Sequence, residues 1–141
     1  MNEFRTTPSK ANCVRKRRLL IGEANPALRD YLSAVLGADG HEVVAMASGV
    51  DLIDTLAVSL HPEFGSGSFD LVISEARMLG AEQARILRTF GDRAEVPPFV
   101  LTTVFRDKEL RVKAKQVGAL AVLDKPLDID ELRQIVNTSL H

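Results

Sequence analysis

At 141 residues and 15.4 kDa the chain has room for one ordinary domain, large enough to bury a core without disulfides or a structural metal. Its 45% hydrophobic and 26% charged residues are those of a globular protein, and a net charge of −1 argues against a globally basic nucleic-acid binder. The single Cys13 excludes an internal disulfide and the four-thiolate zinc sites, and no apolar run approaches the roughly 20 residues that span a bilayer.

Residues 1–18 carry Arg5, Lys10, Arg15, Lys16, Arg17 and Arg18 against Glu3, a local balance of +5 that leaves −6 for the rest. With Thr6, Thr7, Pro8, Ser9 and Asn12 and no apolar periodicity, residues 1–16 read as a flexible basic arm ahead of a domain over 17–141. There is no apolar stretch before Arg15, so this is not a secretory signal and the expected compartment is the cytoplasm. The basic run is either a solvated flank or a contact for an acidic partner; four charges alone bind weakly and lose affinity with salt.

From residue 18 onward the period switches repeatedly between strand and helix. Leu19, Leu20 and Ile21 make a short apolar strand, and Asn25-Pro26 reads as a helix N-cap with Pro at the first helical position. Leu28, Tyr31, Leu32, Val35 and Leu36 recur at helical spacing, with Gly40 as the stop. His41 to Met46 is a second strand, and Ser48 caps a helix bearing Leu52, Ile53, Leu56 and Leu60. The Pro, Gly and Ser of residues 61–69 predict a flexible loop. Asp70 to Ser74 is a third strand, followed by a helix over about 81–90 with Ile86, Leu87 and Phe90 on one face. Phe99 to Val104 is a fourth strand. A helix over 107–117 follows, with Leu110, Ala114 and Val117 inside. Ala119 to Leu123 is a fifth strand, and Asp128 to Glu131 is a capping box for a last helix with Ile129, Leu132, Ile135 and Val136 inside.

These are five βα units whose strands are nearly continuous apolar runs, as expected when helices cover both faces of a parallel sheet. In such a doubly wound α/β fold, ligand groups gather beyond the carboxyl ends of the strands. Those ends carry Glu23, Glu75, Thr102 and Thr103, and Lys125: two carboxylates, hydroxyls and an ammonium on one rim.

The set resembles the receiver domain of bacterial response regulators over about residues 17–139. The resemblance rests on Glu23-Ala24-Asn25-Pro26, the run Asp70 to Met78 with Gly80, Thr103, Gly118-Ala119 and Asp124-Lys125-Pro126. It implies a flavodoxin-like (βα)5 sandwich with strand order 2-1-3-4-5. It also implies a site in which an Asp ending strand three accepts a phosphoryl group, an acidic pair after strand one helps hold Mg²⁺, and a Thr and a Lys contact the phosphoryl oxygens.

This sequence departs from that pattern. Glu75 occupies the phosphoacceptor position, and the acidic pair is reduced to Glu23 with Ala24 beside it. Leu79, Gln83 and Val122 stand where Pro, Gly and an aromatic switch residue are usual, whereas Thr103, Lys125 and Pro126 are kept. One extra methylene carries the Glu75 carboxylate about 1.5 Å farther out, and an error near 1 Å in an in-line attack costs about 100-fold. Ala24 cannot ligate a metal. Mg²⁺ binding is expected to be weak or absent, with no other cofactor. Glu75 either reaches toward Lys125 and Thr103 as a partial stand-in for a phosphoryl group, or is a relic facing solvent.

No second domain is legible, so the expected function is that of a stand-alone pseudo-receiver, without catalysis of its own, acting by phosphorylation-independent contact with signalling proteins. The alternatives are residual phosphotransfer on an unusual acceptor, or an adaptor using the basic arm toward nucleic acid or membrane. In the resembling family the fourth helix, fifth strand and fifth helix form the partner or dimer face. Here that face includes Arg106, Lys108, Arg111 and Lys115 opposite Asp128 and Glu131, which suits an isologous dimer or is simply a solvated surface. The three His residues match no zinc spacing. There is no nucleophile elbow and no Gly-rich phosphate loop, and a flavin role is argued against by no Trp, one Tyr and no hydroxyl-rich first loop for a flavin phosphate.

Overall fold

The computed structural model describes residues 16–60, 68–78, 97–104, 108–116 and 118–138. Within them strands and helices alternate: β1 (Arg18–Gly22), α1 (Pro26–Ala38), β2 (Glu42–Met46), α2 (Gly49–Leu60), β3 (Leu71–Glu75), a 3₁₀ turn (Ala76–Met78), β4 (Phe99–Thr103), α3 (Lys108–Gln116), β5 (Ala121–Asp124) and α4 (Ile129–Thr138). The helix expected over 81–90, Leu79, Gln83, Arg106, and residues 1–15 of the basic arm lie outside the described residues.

The five strands pair in parallel in the order β2-β1-β3-β4-β5. The fold is therefore the doubly wound one that the alternation of periods predicts. Continuous apolar strands are needed because each strand feeds two cores. Leu19 and Ile21 of β1 point to a cluster with Leu32 and Leu36 of α1 and Leu132 and Val136 of α4. Leu20, between them, points to Leu52 and Leu56 of α2 and Ala114 of α3. Each of these fully buried leucines contributes about 2 kcal/mol from burial.

Helix starts are fixed by side-chain caps. Asn25 Oδ1 accepts from the Leu28 amide at 3.1 Å, with Pro26 opening α1. Ser48 Oγ accepts from the Asp51 amide at 3.2 Å. Asp128 Oδ1 accepts from the amides of Asp130 and Glu131 at 3.0 and 3.2 Å.

Several expected positions shift. Tyr31 is 51% exposed, because the buried row of α1 runs through Leu32 and Leu36 and leaves Tyr31 on the outer side. The second strand begins at Glu42 rather than His41, whose amide donates to Leu36 O at the end of α1. The Ala119 amide likewise closes α3 on Ala114 O, so β5 runs over Ala121–Asp124. Val104, past the end of β4, is exposed.

Candidate functional site

The strand order reverses between β1 and β3, and the residues at the carboxyl ends of β1, β3, β4 and β5 meet there. Glu23 follows β1 directly. Its amide donates to Met46 O at the end of β2, which turns its side chain into the rim, where it is 2% exposed. Glu75 ends β3 in register with Thr102, and Thr103 ends β4 in register with Asp124. Lys125 follows β5, its amide donating to Thr103 O at 2.7 Å, and its peptide bond to Pro126 is cis.

These elements bring Lys125 Nζ between two carboxylates, 2.7 Å from Glu23 Oε1 and 2.8 Å from Glu75 Oε2. The other oxygen of each accepts a backbone amide. Glu23 Oε2 takes the Asn25 N–H at 2.9 Å, and Glu75 Oε1 takes the Ala24 N–H at 2.7 Å. The longer Glu75 side chain thus spans from β3 across to the loop after β1. Ala24 contributes no side-chain ligand but does contribute an amide. Buried charges persist only when paired and hydrogen-bonded, and here every carboxylate oxygen has a donor.

Burial acts to lower the Lys125 pKa, but its hydrogen bonds to Glu23 and Glu75 and their charges outweigh it and hold the ammonium above its usual range. Burial likewise acts to raise Glu75, and the Lys125 hydrogen bond, the Ala24 amide and the Lys125 charge outweigh it, holding the carboxyl below its usual range. The two directions agree: Glu75 and Lys125 are both ionised at neutral pH.

Divalent magnesium asks for near-octahedral oxygen ligation and keeps several waters. Here an ammonium already bridges the two carboxylates, and the neighbouring position is Ala24. The residues present do not fit the ion. Among the described residues no group of three or more carboxylate, imidazole or thiolate side chains is placed to hold a metal.

Two contributors were not anticipated from the sequence. Arg29 Nη1 donates to the carbonyls of Glu23 (2.9 Å) and Ala24 (3.3 Å), fixing the loop that aims the Ala24 amide. A cation in the first turn of a helix opposes the helix dipole, so its presence there was the available signal. The second is Asp124 at the end of β5, whose Oδ2 pairs with Arg111 Nη2 at 2.7 Å.

The remaining anticipated residues divide. Arg111 also donates to Val122 O at 3.2 Å, so its exposed guanidinium is tied to β5. Val122 is partly buried and Pro126 is exposed. Lys108, Lys115 and Glu131 are exposed on α3 and α4, and Asp128 caps α4.

The response regulator receiver domain family is matched over residues 19–137, and the chain belongs to that family. It is a receiver module of two-component signalling. The transcriptional regulator NtrC of Escherichia coli (strain K12) is 27% identical over 114 residues, 81% of this chain and 23% of NtrC; the chain spans about a quarter of such relatives. Sporulation initiation phosphotransferase F of Bacillus subtilis (strain 168) is 25% identical over 123 residues, 87% of this chain and 93% of that protein. Among solved structures, the Saccharomyces cerevisiae co-crystal of the histidine phosphotransfer protein Ypd1 with the receiver domain of Ssk1 aligns with a TM-score of 0.69 and 18% identity. It covers 87% of this chain and 88% of the matched one, a likeness of fold. Among the described residues no helix is long and apolar enough to cross a membrane.

Proposed function

We propose that this receiver signals through protein contact without a phosphoryl cycle of its own, Glu75 standing at the phosphoacceptor position as a partial stand-in for the phosphorylated state. The observation that carries this reading is the Glu75 carboxylate, held at one oxygen by Lys125 and at the other by the Ala24 amide. Each oxygen takes one donor, which ties the carboxylate into the rim and lowers its nucleophilicity while leaving one lone pair on each oxygen. Glu75 brings a charge of about −1 to Lys125 where a phosphoryl group would bring −1.5 to −2, so the mimicry is partial. No enzymatic turnover is assigned to the module.

The partner is a protein, by analogy with the Ssk1 receiver, which was crystallised with a phosphotransfer protein. The candidate face is built from α3, β5 and α4, where Lys108 and Lys115 of α3 and Glu131 of α4 are exposed, and a second copy of this chain would meet that face in complementary charge.

The test is a titration of labelled protein with Mg²⁺ and beryllofluoride, which takes the place of a phosphoryl group on an acceptor carboxylate. Backbone amides around Glu23, Glu75, Thr103 and Lys125 are expected to stay silent. Saturable shifts there, spreading into α3 and α4, would overturn the proposal and establish a working phosphosite.

A further inference from the structure

His41 lies at the other end of the sheet, just before β2, and is 5% exposed. Its Nδ1 accepts a hydrogen bond from the Arg17 amide at 3.1 Å. A nitrogen that accepts carries no proton, so the neutral ring holds its proton on Nε2. That Nε2 is buried with no hydrogen-bond partner. Arg17 is also the point where β1 is joined to its neighbours. Its carbonyl accepts from the Glu42 amide at 2.9 Å. One residue on, the Arg18 amide donates to Asp70 Oδ2 and the Asp70 amide to Arg18 O, both at 2.7 Å. His41, Arg17 and Asp70 therefore tie together the starts of β2, β1 and β3.

We propose that His41 is an acid-sensitive latch on the start of β1: protonation at Nδ1 converts the acceptor that holds the Arg17 amide into a donor and loosens residue 17 from the sheet. Two donors facing each other cannot share a hydrogen bond, so the bond is lost rather than weakened. The second proton creates no new bond at Nε2, which is already an unpartnered donor. The device is independent of the phosphoacceptor rim, which stands at the opposite ends of the strands.

The charges around the ring set where it works. Asp39 at the end of α1 and Asp70 before β3 favour the imidazolium, and Arg17 opposes it. Asp39 is already committed to Arg133 of α4 through two hydrogen bonds of 2.8 and 2.7 Å. Burial is the largest influence and holds the imidazole below its ordinary 6.5. With the folded value below the unfolded one, the unfolded chain binds more protons in between. The stability His41 contributes is present above 6.5 and is lost as pH falls toward and through the folded value.

The experiment is a ¹⁵N NMR titration of the full chain from about pH 7.5 to about pH 5, across the range where histidine titrates. The imidazole shifts are expected to report the Nε2–H tautomer at the upper end and a midpoint below 6.5. The Arg17 amide is expected to shift with the same midpoint and to lose about fivefold in exchange protection relative to the Leu20 and Val100 amides, as one hydrogen bond is worth. In His41→Gln the Arg17 amide should ignore pH over this range. An Nδ1–H tautomer in wild type, a midpoint at or above 6.5, or an Arg17 amide indifferent to His41 would overturn the latch. The wild-type titration decides alone where the variant does not fold.

Discussion

Lys125 holds two carboxylates with one ammonium, and its own side chain is 14% exposed against 2% for Glu23 and 16% for Glu75. Removing the ammonium leaves the buried Glu23 without a counter-charge, and breaking such a pair on one side costs more than the pair itself is worth. Lys125→Met, which keeps the apolar stem, is expected to lower the unfolding free energy by about 2–3 kcal/mol at neutral pH, below the range for fully dry pairs because water still reaches Lys125 and Glu75. The pH window has two edges. Glu75 is held below 4.5, so its contribution is present above 4.5 and lost as pH falls through the folded value. Lys125 is held above 10.5, so its contribution is complete below 10.5 and lost as pH rises through the folded value. Urea unfolding should give a constant wild-type-minus-variant difference from about pH 6 to about pH 9, shrinking on acidification below the Glu75 edge. A difference that ignores pH down to the acid limit would mean that the loss does not come from the ion pair with Glu75. The side chains of this network were legible in the sequence because a doubly wound sheet places strand ends together. Its bonding was not, because the Ala24 amide that takes Glu75 Oε1 is a backbone group that no residue type announces.

Gly49 opens α2 where it passes the 3₁₀ turn after β3. A Cβ there would stand 2.5 Å from the Met78 carbonyl oxygen, a backbone atom that cannot rotate away. That close approach brings the end of β3, and with it Glu75, against the start of α2. Gly37, in the last turn of α1, has open space where its Cβ would be. The same substitution should therefore have opposite signs. Gly37→Ala is expected to stabilise by about 0.5–1 kcal/mol, since alanine gives the unfolded chain less freedom to lose. Gly49→Ala should destabilise by about 1–3 kcal/mol, because the turn must move to admit a methyl group. Thermal unfolding of the two variants side by side checks this, and equal signs would mean that the turn yields without cost. At this scale the sequence was informative where a cap or a period was strong, as at Asn25, Ser48 and Asp128. It misled at Tyr31, where a row of apolar residues wider than the buried stripe drew in an outward-facing ring. It also misplaced the starts of β2 and β5, where amides of His41 and Ala119 are spent on closing the preceding helices.

For the molecule as a whole, the family's sheet, strand order and retained Thr103 and Lys125 are all in place, and two of the departures, Ala24 and Glu75, stand on the rim. The two cores lie on either side of the sheet and do not include Ala24 or Glu75. On the proposed reading, loss of the phosphosite is a local matter of carboxylate count and reach, set by residues whose exchange should not disturb the fold. The double substitution Ala24→Asp with Glu75→Asp raises the rim from two carboxylates to three against one Lys125. It also shortens the acceptor side chain by about 1.5 Å, which withdraws its oxygen from the amide at position 24. More carboxylates around one ammonium leave like-charge repulsion for a divalent ion to relieve. The double variant is expected to acquire amide shifts that saturate with Mg²⁺ and beryllofluoride together, whereas Ala24→Asp alone, with the long Glu75 still bound to Lys125, should respond far less. Unfolding curves that match wild type would show that the comparison is made on an intact sheet. A folded double variant that stays silent would place the block elsewhere, in the positions outside the rim where this chain also departs from its family, such as Val122.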